Sequence, residues 1–121
     1  MSEEEKKAAM LLKSLIFHYH GLDEDEKKIL EKASKKLGAK KELLWANGFI
    51  AEDYLSAFER AREFLRKIIL RLDKVERLNQ LFETWEENYE KGYVTEMETT
   101  AMLMLSKDWD IENEFMTKIR S

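Results

Sequence analysis

The chain has 121 residues, 44% hydrophobic and 38% charged, with no proline or cysteine and a formal net charge of -4. That length suits a single domain over residues 1–121, large enough to bury about two-thirds of its unfolded surface, and the missing cysteines exclude disulfides and thiolate metal sites. The acidic start Met1-Ser2-Glu3-Glu4-Glu5 lacks the basic head of a secretory signal, and no apolar run approaches the ~20 residues that span a bilayer, so a cytoplasmic protein without a membrane segment is expected.

In chain order, Ala8, Leu11, Leu12, Leu15 and Tyr19 recur at helical steps and predict a first helix over Glu4–His20 with one apolar face, stopped at Gly21. Asp23, followed by Glu26 at the third helical position, spells a capping box for a second helix that carries Ile29, Leu30, Ala33 and Leu37 inward and ends at Gly38. Glu42–Ala46 reads as a short helix broken by a reversal at Asn47-Gly48. From Glu52 to Leu72 the steps of Tyr54, Phe58, Ala61, Leu65, Ile68 and Leu72 predict a long central helix.

Asp73 either caps a further helix bearing Val75, Leu78, Phe82, Trp85 and Tyr89 or lies within a bend of one continuous helix. After Gly92, Thr95 and Glu98 repeat the capping-box spacing before Ala101, Met102 and Leu105, and Asp110 is expected to cap a last helix bearing Ile111, Phe115 and Ile119. The result is an all-α bundle of six to seven helices, with no alternating strand pattern in competition.

Shifting the chain by 72 residues brings Asp23 onto Thr95, Glu26 onto Glu98, Ser34 onto Ser106 and Lys35 onto Lys107, the mark of two pseudo-repeated halves. The joint Lys91-Gly92-Tyr93-Val94-Thr95-Glu96-Met97-Glu98 resembles the Asp-Gly-x-Ile/Val-x-x-x-Glu signature of the tellurite-resistance TerB-like family. That resemblance, over Leu11 to Ile119, implies an all-helical fold with such a joint in each half and a setting among bacterial stress-response proteins. It also implies a metal site made by the family's acidic residues, of which Glu26 and Glu98 carry over, whereas the signature's aspartate is replaced by Lys91.

Read as chemistry, His18, His20, Asp23 and Glu26 gather imidazoles and carboxylates at one helix-to-helix turn and form a candidate metal site. His18 and His20, two positions apart on a helix, share a metal only if the helix unwinds between them. Asp108, Asp110, Glu112 and Glu114 alternate like a calcium loop, but Asn113 stands where its glycine belongs and Ile119 where its glutamate belongs. Phosphate loops, nucleophile elbows and zinc-protease helices are absent, so neither catalysis nor a cofactor is expected. The aromatics Phe58, Phe64, Trp85 and Tyr89 and the methionines of the 102–104 run read as core.

Charge is segregated along the chain: seven lysines against Glu31 between Lys27 and Lys41, and ten acids against Lys91 and Lys107 between Glu83 and Glu114. Such polarity fits either internal pairing of the halves or association with a protein partner or a second copy, with Glu83, Glu86, Glu87 and Glu90 fanned across an exposed helix side as the binding residues. Nucleic acid is a poor match, because the lysine run is short and the protein is acidic. The sequence therefore points to a non-catalytic helical interaction or regulatory module, with a metal- or ligand-sensing protein as the alternative.

Overall fold

The computed structural model describes residues 1–18 and 22–121; the expectations for Tyr19, His20 and Gly21 lie outside the described residues. Among the described residues there are seven helices and no strand: α1 (Glu3–Phe17), α2 (Glu24–Leu37), α3 (Lys40–Ala51), α4 (Ala57–Ile69), α5 (Lys74–Tyr89), α6 (Glu96–Asp108) and α7 (Glu112–Arg120).

The middle of the bundle is α1, not the helix in the 52–72 region. Every residue from Ala8 to Phe17 is buried, Lys13 and Ser14 included. A helix covered on all sides needs an apolar circumference, and Ala-Ala-Met-Leu-Leu followed by Leu-Ile-Phe supplies one in place of the expected single face. Helices α2 to α6 all pack against it.

Asn47-Gly48 does not reverse the chain. Helix α3 runs through it, with Glu52 N–H bonded to the Gly48 carbonyl at 3.1 Å, because the stripe of Ala46 and Ile50 together with Trp45 and Phe49 continues across the pair. The solvent side of α3 tolerates a glycine at roughly 1 kcal/mol. The break falls after Ala51 instead: Asp53 accepts from Leu55 N–H and Ser56 Oγ, and the Arg60 guanidinium gathers the Phe49 and Asp53 carbonyls. Tyr54, expected to face inward, is therefore on the surface, as is Val75 at the start of α5. Trp45, Phe49 and Phe64 then stack α3 on α4 with ring centroids 5.1–6.0 Å apart.

Asp73 does cap a separate helix, accepting from Glu76 N–H at 2.9 Å. Asp110 does not cap α7. It has φ 56° and is the left-handed residue that closes α6, its N–H bonding Lys107 O while Ile111 N–H bonds Ser106 O. Gly38 closes α2 with the same pair of bonds, from its own N–H to Lys35 O and from Ala39 N–H to Ser34 O.

These correspondences extend the repeat from a joint to whole halves. Ser2 and Asp73 cap α1 and α5, Asp23 and Thr95 cap α2 and α6, and α3 and α7 each begin two residues beyond the left-handed position. Thus α1–α2–α3 and α5–α6–α7 follow one plan, with α4 between them.

Candidate functional site

Both capping boxes form as the spacing predicts. Asp23 accepts from Glu26 N–H at 2.8 Å and Thr95 Oγ1 from Glu98 N–H at 3.2 Å, while each glutamate returns Oε1 to the backbone N–H of its cap. The second oxygen of each, Oε2, turns to one point, the Lys91 ammonium, at 3.3 Å for Glu26 and in direct contact for Glu98. No side chain of the three is more than 2% exposed. The rings of Phe17 and Tyr93 flank the ammonium at 5.6 and 4.8 Å. Two carboxylates against one ammonium leave a negative excess, and the two helix N-termini, each equivalent to roughly half a positive charge, offset it.

Burial pushes the Glu98 carboxyl up, but the Lys91 ammonium and the hydrogen bonds from Thr95 outweigh it and hold the group below its ordinary value. The metal site implied by the resemblance does not fit these residues: both acids are present, and the ammonium of Lys91 lies where they converge. Of the other candidate ligands, His18 donates from Nδ1 to the Ser14 carbonyl at 2.6 Å, and Asp23 is committed to its cap. His20 lies outside the described residues. The described residues hold no cluster of three or more histidines or carboxylates disposed around a metal.

The acids of α5 divide into two sets, instead of fanning together into solvent. Glu83 and Glu87 reach inward to Lys13, which is 1% exposed, at the heart of α1; Thr84 Oγ1 lies 3.4 Å from the same ammonium. Burial pushes the Glu87 carboxyl up, against the opposing pull of Lys13. Glu86 and Glu90 remain exposed. All four acids also line a cleft of about 190 Å³ together with Ile29, Lys32, Ala33 and Lys36 of α2, while the internal ion pairing, that of Glu83 and Glu87, is with Lys13 of α1.

The alternating acids of 108–114 also separate. Asp108 is gripped by Arg62 through Nε and Nη2 at 2.9 Å each and by Arg66 at 3.1 Å, Asp110 pairs with Lys74, and Glu112 pairs with Lys107. The Arg62 fork holds Asp108 well below the usual carboxylate range, and this clamp ties α4 to α6.

Beside that clamp lies a surface feature that includes Phe58, Ala101 and Met104, residues expected in the core from the sequence. Phe58 of α4 and Met97, Thr100, Ala101 and Met104 of α6 line an open trough of about 370 Å³, with Glu96 at its edge. Met97 is 54% exposed, and Leu55, three residues before Phe58, is 100% exposed. Helical periodicity marks Phe58 as inward-facing but carries no signal that the seam between α4 and α6 is left partly uncovered. No family model, no curated protein and no solved structure matches the chain.

Proposed function

We propose that this chain is a non-catalytic helical module for protein–protein interaction or regulation. The observation that carries the reading is the trough between α4 and α6, where Met97 holds apolar surface in water beside Phe58 and Met104, with the fully exposed Leu55 three residues before Phe58 in the chain. Contiguous apolar surface rimmed by polar groups is characteristic of partner contacts, and methionine adapts to partner side chains. The buried ionisable groups are engaged within the fold, Lys13 with Glu83 and Glu87, Lys91 with Glu26 and Glu98, and Asp108 with Arg62, which suits a structural role for them. Exposed Glu86 and Glu90 would steer a basic partner toward the surface. The resemblance of the Lys91–Glu98 joint to TerB-like proteins supports a bacterial or phage stress-related setting.

The test combines Leu55→Glu with Met97→Glu. Sedimentation of the pure protein and affinity capture from the native host are compared with the unsubstituted chain. The expected result is loss of self-association or of a specific captured protein with an unchanged helical spectrum. Equal sedimentation and identical captured proteins would defeat the proposal.

A further inference from the structure

At the opposite end from the trough, the first turn of α1, the end of α2 and the start of α3 enclose an open cleft of about 620 Å³. Lys6, Lys35, Lys40 and Lys41 line it against Glu3 and Glu42. None of these four lysines has an ion-pair partner within 4.0 Å among the described residues. Helix α3 begins there without a side-chain cap, its first backbone bond running from Leu43 N–H to Ala39 O, so the amides of Lys40, Lys41 and Glu42 open on the same space. Glu42 is 9% exposed, and its carboxylate has no hydrogen bond or ion pair among the described residues, although it lines the cleft.

The second half of the repeat shows what this corner looks like when it is closed. The counterparts of Gly38 and Lys40 are Asp110 and Glu112. There Asp110 pairs with Lys74 at 3.3 Å and Glu112 with Lys107 at 3.7 Å, while Arg77 fills the corner with bonds to the Leu70, Leu72 and Trp109 carbonyls. The first turn of α7 is acidic at Glu112 and Glu114, as a helix N-terminus favours; the first turn of α3 has a single acid, Glu42, and places Lys40 and Lys41 beside it at the positive end of a helix dipole. Cations collected at a helix start repel each other and the dipole unless an anion joins them.

The geometry points to a binding site for a small phosphorylated polyol in this cleft. The lysine ammonium groups and the free α3 amides hold the phosphate, and the Glu42 carboxylate accepts hydrogen bonds from hydroxyls. A space of about 620 Å³ falls within the range of small-molecule pockets. This site is separate from the proposed protein-binding trough and does not depend on it.

The probes are ribose 5-phosphate, inorganic phosphate and ribose, titrated calorimetrically into the whole chain with amide shifts followed by NMR. Ribose 5-phosphate is expected to bind one-to-one, about tenfold tighter than inorganic phosphate, with shifts centred on Lys40, Lys41 and Glu42. Lys40→Glu copies the second half, bringing a carboxylate to Lys35, and is expected to weaken binding by about tenfold or more without loss of helicity. Glu42→Ala is expected to bring ribose 5-phosphate down to the level of inorganic phosphate. Absence of saturable binding, equal affinity for the two phosphates, or a Lys40→Glu variant that binds as well as the original would each overturn the assignment.

Discussion

Lys91 holds together two glutamates that each belong to a different half, so its removal leaves two carboxylates buried without their shared cation. Lys91→Met is expected to destabilise the fold by about 3–5 kcal/mol, measured by urea unfolding at neutral pH. Two of the carboxylates with displaced pKa values, Glu98 and Glu87, act in opposite directions with pH. Glu98 is held low, so its contribution to stability is present above the ordinary glutamate range and is lost as pH falls through its folded value. Glu87 is pushed up, so its contribution is fully present below the ordinary range and is lost as pH rises through its folded value. Accordingly, the stability deficit of Glu98→Gln relative to the unsubstituted chain should shrink on acidification from neutral pH. Glu87→Gln should gain relative stability as pH rises from the acid side to neutral, and parallel unfolding curves for the two variants would contradict the assignment.

Among the helices, those with explicit ends were legible. The Asp23 and Thr95 capping boxes and the glycine stop of α2 appear where their spacing predicts, and of the two readings open at Asp73 the cap is the one that forms. Misreadings came where a local signal met a tertiary demand: Asn47-Gly48 has turn chemistry, yet packing of Ala46 and Ile50 carries α3 past it, and Asp110 has cap chemistry but serves as the left-handed stop. Two glycine substitutions separate these cases. A Cβ at Gly48 meets nothing within 4 Å in a helical backbone, so Gly48→Ala should stabilise by about 0.5–1 kcal/mol in thermal unfolding. Gly38 has φ +63°, so Gly38→Ala should destabilise by about 1–2 kcal/mol although space is available. The buried triad was half legible: the spacing located both glutamates, but Lys91, next to an exposed glycine, reads as an ordinary surface lysine until the two helix starts are brought face to face.

For the molecule as a whole, an all-helical domain followed from composition and period, and the 72-residue correspondence marked two halves; which helix lies at the centre did not follow. Burying α1 depends on how five other helices surround it, information that no window along α1 contains. Charge segregation was visible in sequence, but the internal pairing of Glu83 and Glu87 with Lys13 of α1 was not. Because Glu83 and Glu87 are engaged with Lys13, the surface contribution to association should be read from Glu86→Gln with Glu90→Gln, which is expected to slow partner association at low salt and to have little effect at high salt, by stopped-flow or surface-binding kinetics. A central helix encoded ahead of all its neighbours also sets a schedule for synthesis. When α1 leaves the ribosome none of its coverings has yet emerged, and α6 is complete only on the order of ten seconds after α1 is made at ordinary elongation rates. Through that interval its apolar circumference is exposed to chaperones and to other nascent chains, so the yield of folded protein in the cell should depend on elongation speed and chaperone supply more than its finished stability would indicate.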